Sequence, residues 1–201
     1  MRRWRWHEFA VLTVERLLPD DIGNAERWDA FVMACPQASF FHRSAWQSII
    51  GSVFRHDTYF LYARHGDTIE GVLPLAHVNS RLFGNALVGL PFAVYGGVAA
   101  SSSEAAQALE QEAQAIAQRL KVEHLELRNV DRCHADWPTQ DLYVTFRKEI
   151  FAQEDANMLA IPRKQRAMVR KGIKNGLVST VDDDVDAFFT LYADNVHRHG
   201  T

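Results

Sequence analysis

Six basic residues and no acid occupy IPRKQRAMVRKGIKNGL (161–177), within a chain whose net charge is −3. Pro162 suits the first turn of a helix, where its missing N–H would be unpaired in any case, and Gly176 suits the stop. Between them Arg163, Arg166, Arg170 and Lys174 step by three, four and four, forming one basic stripe flanked by Lys164 and Lys171. One reading is a solvated helix face, which is what most charge runs are. The other is a site for an anionic group: a nucleotide diphosphate, a lipid diphosphate or a tRNA phosphate. The forked guanidinium at three of the four stripe positions favours the second, as does the positive helix end after Pro162. DNA is not expected as a partner, since nothing else in the chain supplies the extended positive surface that phosphate tracking needs.

A second constellation lies in VEHLELRN (122–129). Glu126 and Arg128 alternate with Leu125 and Leu127, so on a strand they share the face opposite the apolar one. Lining a cleft, Glu126 could accept a proton from an attacking amine while Arg128 holds a carboxylate or phosphate. On an open surface they are an ion pair worth little. Tyr95 precedes two glycines in AVYGG, where backbone can approach a ligand closely; packing on the sheet is the alternative. Arg81, Gly84 and Ala86 fit the R-x-x-G-x-A form of an acyl-CoA phosphate loop. The LVGLPF that follows is strand-like and contains proline, so the helix such a loop must open is missing and a turn is expected. His197 and His199, two apart on a helix, point to different sides, and Asp194 with His197 gives too few ligands for a metal. Ser44, Cys35 and Cys133 have no visible base partner, so a nucleophile triad is unsupported.

Composition sets the frame for these residues. A chain of 201 residues allows one large domain or a domain and a half. Its two cysteines lie far apart, which fits a reducing compartment without disulfides or a zinc knuckle. The basic N-terminus is followed by an apolar stretch broken by Glu8, Glu15 and Arg16, so a signal peptide is not expected. A cytoplasmic protein follows, touching a membrane only transiently at its inner face.

The elements that must position the site can be read from periodicity. A strand is expected over 9–17 and a helix over 24–34 with Asn24 as cap. A second helix is expected over 44–54, capped by Ser44, with Trp46, Ile49, Ile50 and Phe54 on one side. Residues 56–78 read as a hairpin turning at Gly66-Asp67, and 85–97 as a short strand and a loop. SSSEAAQALEQEAQAIAQRL is the clearest helix, with a stripe through Ala105, Leu109, Ala113, Ile116 and Leu120. Strands are expected over 122–129, 141–150 and 177–181, with a connector over 151–160. The last expected helix runs from a cap at Asp184 to Gly200, burying Phe188, Leu191, Tyr192 and Val196. The sum is an α/β (α+β) protein built on a mixed, largely antiparallel sheet.

Five segments in order, FFHRSAWQSII, GVLPL…SRLFGNALVGLPFAVYGG, LELRN, PRKQRAMVRKGIKNGL and LYADNVHRHGT, resemble the FemAB family. They look most like its branch associated with PEP-CTERM/exosortase and exopolysaccharide loci. The resemblance implies two Gcn5-related N-acyltransferase-like domains, here 1–152 and the beginning of a second at 153–201, cut short. It implies transfer of an amino acid from aminoacyl-tRNA to an amine of a cell-envelope, peptidoglycan or exopolysaccharide precursor, with no bound cofactor. On that reading Glu126 is the base, and Arg128, Tyr95 and the Arg163, Lys164, Arg166, Arg170 and Lys171 cluster meet the substrate. His197 would then help to position it. Two other classes stand beside it. One is a non-catalytic protein that binds an anionic glycolipid or assembles an exopolysaccharide complex. The other is a CoA-dependent N-acetyltransferase.

Overall fold

Asp57–His65 (β2) and Thr68–Ser80 (β3) form the expected hairpin, and Gly66 turns it at φ +55, a left-handed conformation that glycine enters without strain. The computed structural model describes residues 11–80, 84–131, 133–140, 144–181 and 183–200. Leu12–Arg16 (β1) pairs antiparallel with β2, and Gly84–Gly89 (β4) antiparallel with β3. Ala99–Ala100 (β5) adds to β3 at Val72 and Gly71. His124–Glu126 (β6) lies parallel to β4, giving the order β1-β2-β3-β4-β6. The sheet is therefore mixed and mostly antiparallel, as the sequence leads one to expect.

Helices cover both faces. Ile22–Ala34 (α1) starts one turn earlier than expected: its cap is Asp21, whose Oδ1 accepts the Asn24 N–H at 3.1 Å. Phe40–His42 forms a single 3₁₀ turn, and Ala45–Ser52 (α2) follows with Ser44 at the cap position, though its hydroxyl makes no capping bond. Alternation along β2 sends Phe60 and Tyr62 to the face covered by Trp28, Val32 and Ile50. Leu61 and Ala63 go to the other, where Ser103–Leu120 (α3) lays down Ala105, Leu109, Ala113 and Ile116. In α2 the buried side chains are Gln47 and Ile50, while Ile49 stays exposed, as does Phe54 beyond the end of the helix. Gln47 is admitted because its Nε2 donates to Leu17 O at 2.8 Å.

The chain divides into two compact units, Met1–Pro138 and Thr139–Thr201, and the 152/153 position falls inside the second. That unit holds Glu154–Ala160 (α4), Arg163–Lys174 (α5) and Val185–His199 (α6). Several expectations are corrected here. Residues 144–150 and 177–181 carry no strand, since no described strand pairs with them; 141–143 lie outside the described residues. An alternating pattern makes a strand only beside another strand. Residues 154–160 are a helix rather than a connector. The last helix has its expected caps, with Asp184 Oδ1 accepting the Ala187 N–H and Gly200 at φ +73. Its apolar stripe is not buried, however: Phe188, Leu191 and Tyr192 are 66%, 73% and 54% exposed. No described residue of this unit is buried.

Candidate functional site at the ends of β4 and β6

Beyond the last β4–β6 pair, Val88 with Glu126, the chain returns through 90–98 into the space between the two strands. Two close approaches make this possible. A methyl group on Gly89 would lie 2.1 Å from Gly96 O, and one on Gly96 would lie 2.4 Å from Gly89 O. The N–H groups of Gly96 and Gly97 both donate to Arg128 O at 3.1 Å. This explains why the strand expected over 122–129 has only three residues: past Glu126 its backbone partners a loop. Leu90 and Phe92 take φ of +42 and +67, conformations that cost a side-chain-bearing residue about 1–3 kcal/mol each and that gather at functional sites.

Side chains hold this loop from three directions. The Arg128 guanidinium donates to Ala93 O at 2.7 Å and to Glu126 Oε1 at 2.6 Å. Asn129 Oδ1 accepts the Val98 N–H at 3.3 Å. From the opposite side comes His42, fully inside the core. Its Nδ1 accepts the Ser39 N–H at 3.1 Å, so the ring proton is assigned to Nε2, which donates to Gly97 O at 3.1 Å. The His42 carbonyl in turn accepts the Trp28 indole N–H at 2.6 Å.

Burial pushes the His42 imidazole below its ordinary value, against the smaller opposing effects of its bonds to Gly97 and Ser39. The unfolded chain therefore takes up this proton at a higher pH than the folded one. His42 contributes fully to stability above its unfolded value of about 6.5 and loses that contribution as pH falls below it. The difference in urea midpoint between wild type and His42→Gln should thus shrink from about pH 7.5 to about pH 5.5. A constant difference would mean that the imidazole is not held neutral.

The structure thus gathers Tyr95, Glu126 and Arg128, read separately in the sequence, around one loop. Tyr95 sets its ring against the edge of Phe41, 6.4 Å between centroids. Glu126 and Arg128 form an ion pair, 40% and 31% exposed, and Arg128 is engaged by the loop. Glu126 Oε2 has no partner among the described residues, which leaves it open to a proton. The outer edge carries Phe92, stacked 4.1 Å from Phe54 and 5.9 Å from His56. Gly84–Ala86 opens β4 instead of a phosphate loop, with Arg81 outside the described residues. Sequence reasoning missed the parts played by His42, Trp28 and Asn129, whose partners lie far along the chain.

The basic cluster lies on α5 in the second unit. Arg166 turns back, its guanidinium donating to Leu159 O at 2.8 Å and Ile161 O at 2.9 Å. It thereby closes the end of α4 and leaves the stripe. Arg163, Lys164, Arg170, Lys171 and Lys174 are exposed and have no ion-pair partner among the described residues. His197 is exposed on α6, where Asp194 pairs with Arg198 at 2.7 Å instead. Among the described residues no cluster of metal-ligating side chains occurs.

No protein-family model matches the chain. No curated protein matches it. Solved structures give distant likenesses. One is to a GNAT family acetyltransferase of Staphylococcus aureus, at 10% identity and a TM-score of 0.42, covering 71% of this chain and 98% of that one. Another is to a transcriptional regulator from Bacillus halodurans, at 11% identity and a TM-score of 0.37, covering 86% of this chain and 97% of that one. Both are too remote to carry an argument about chemistry.

Proposed function

We propose that the chain is an acyltransferase of the FemAB type, moving an aminoacyl group from an ester donor such as aminoacyl-tRNA onto an amine of a cell-envelope, peptidoglycan or exopolysaccharide precursor. The observation that carries this reading is the Glu126 carboxylate at the end of the parallel pair. One oxygen is fixed by Arg128 and the other has no described partner, beside a loop held under backbone strain. The order of the five segments and the mixed sheet support it. In the reaction the amine nitrogen bonds to the ester carbonyl, the C–O bond to the tRNA hydroxyl breaks, and the hydroxyl oxygen takes up a proton. Glu126 Oε2 accepts the proton that the amine sheds. Within the first unit Tyr95 contributes to positioning beside Glu126; within the second, Arg163, Lys164, Arg170 and Lys171 are the candidates to receive an anionic group, with Arg166 anchoring their helix and His197 as a further candidate contact. We place this chemistry at the inner face of the membrane; no helix of the described residues is long and apolar enough to cross one.

Glu126→Gln keeps the shape and the bond from Arg128 but removes the proton acceptor. Transfer of radiolabelled aminoacyl groups from charged tRNA to an amine-bearing precursor is expected to fall by about 10²–10⁴, with the unfolding curve nearly unmoved. Undiminished transfer would remove Glu126 from the reaction. The second reading, a non-catalytic protein binding an anionic glycolipid, is favoured by the five unpaired basic side chains of α5. It predicts glycolipid binding that is untouched by Glu126→Gln and no transfer in any variant. The CoA-dependent alternative fares worse, because Gly84–Ala86 opens strand β4 instead of a phosphate loop that leads into a helix; acetyl-CoA titrated to about 1 mM, a concentration at which even weak binding of about −4 kcal/mol registers, should give no heat.

A further inference from the structure

Six of the chain's 22 basic residues sit between Ile161 and Leu177 while all 25 acids lie elsewhere. The helix that carries them has a second, apolar face. At 100° per residue Val169 and Ile173 fall opposite Lys164 and Lys171, with Met168 at the margin. The chain then leaves α5 through Gly176 at φ +72, where the Leu177 N–H bonds to Gly172 O at 3.1 Å and the Gly176 N–H to Ile173 O at 3.0 Å. This pairing is a Schellman end, and it folds Leu177 back until its Cδ1 lies beside Gly172, on the same apolar face. Met168, Val169, Ile173 and Leu177 are all exposed.

We propose that α5 lies on an anionic lipid bilayer, its five free basic side chains among the headgroups and Met168, Val169, Ile173 and Leu177 in the acyl boundary. Charge alone would suit a nucleic acid equally, but a polyphosphate would leave the apolar face in water. A bilayer takes up both faces at once, which is the design of an interfacial helix. A second copy of the chain would bring two basic stripes together. The charge match is confined to α5, since the polar side of α6 carries Asp186 and Asp194. An acidic chain attracted through one basic helix also has its orientation fixed: the rest is repelled by the same surface. The inference extends the reading of α5 as the anion-receiving element, and its test uses no acyl donor, so transfer and membrane binding can fail separately.

The full chain would be floated with vesicles of phosphatidylcholine, with and without phosphatidylglycerol, across a salt series. Binding only to phosphatidylglycerol vesicles, weakening as salt rises, is expected. Neutralising two lysines, Lys164→Gln with Lys171→Gln, should weaken it by on the order of 10–30-fold. Met168→Gln with Ile173→Asn should weaken it too while leaving the salt dependence in place; both positions are exposed, and circular dichroism would verify the helix. Equal binding to neutral vesicles, or none to anionic ones, overturns the proposal. It is also overturned if the apolar-face variant keeps full vesicle binding, or if that variant's main effect is to dissociate a dimer of the free chain. Tighter, salt-sensitive binding to single-stranded RNA that ignores the apolar face would replace the bilayer by a nucleic acid.

Discussion

Gly96→Ala should destabilise the protein by roughly 3 kcal/mol or more, the upper end of what overpacking costs. The new methyl would lie 2.4 Å from Gly89 O, 2.6 Å from Gly89 C and 2.6 Å from Leu90 Cβ. Two of those atoms are backbone inside a paired strand, which has no rotamer to yield. The Gly96 and Gly97 amides would be pulled from Arg128 O as the loop backs away, and the site would open with it. Gly51→Ala is the matched control, because it lies in α2 with nothing within 4 Å of the added carbon. There the change should stabilise by about 0.5–1 kcal/mol, through helix propensity alone. Urea midpoints of the two variants should therefore move in opposite directions. A Gly96→Ala midpoint at the wild-type value would show that the two backbones do not touch.

Trp28→Ala should cost about 3–5 kcal/mol, as for other large aromatic deletions in a packed core. The indole is fully buried, stacked 5.5 Å from the Phe60 ring, and donates the bond that satisfies the His42 carbonyl. Trp28→Phe separates the two contributions. It keeps an aromatic ring but leaves that carbonyl without its donor, a loss of about 1–3 kcal/mol. Because His42 also donates to Gly97, Trp28→Phe and His42→Gln should be non-additive by about 0.5 kcal/mol or more in a double-mutant cycle. Strict additivity would mean that Trp28 supports the core but not the loop.

The first unit was legible because its signals are local. Alternation with Gly66-Asp67 gave the hairpin, and the small-residue stripe gave α3. The 85–97 stretch read as a strand and a loop from its glycines and proline. The site was only half legible. Glu126 and Arg128 announce themselves by alternation, but Arg128 serves a loop 35 positions away, and no periodicity carries that information. His42 was invisible for the same reason, since an isolated histidine among aromatics says nothing about the carbonyl it will meet. In the second unit the caps located α5 and α6 correctly, but the inference from alternation to strands failed, as did that from the last apolar stripe to burial. Residues 144–150 and 177–181 alternate well enough, yet a strand is a relation between two segments. Phe188 and Tyr192 form a clear stripe that stacks on itself at 5.7 Å and is covered by no described residue.

The spacing of the clamps along the chain also orders events in time. His42 reaches Gly97 across 55 positions, whereas β2 and β3 meet across a two-residue turn. Closing a long loop costs more entropy than closing a short one, and contacts that need it form late. The hairpin can therefore assemble before 90–98 has anything to hold it. The left-handed backbone at Leu90 and Phe92 is taken on only when α1, the 3₁₀ turn and the chain beyond β6 have all arrived. The same arithmetic runs backwards on unfolding: the loop forms a small cooperative unit that can come undone while the sheet beneath it stays paired.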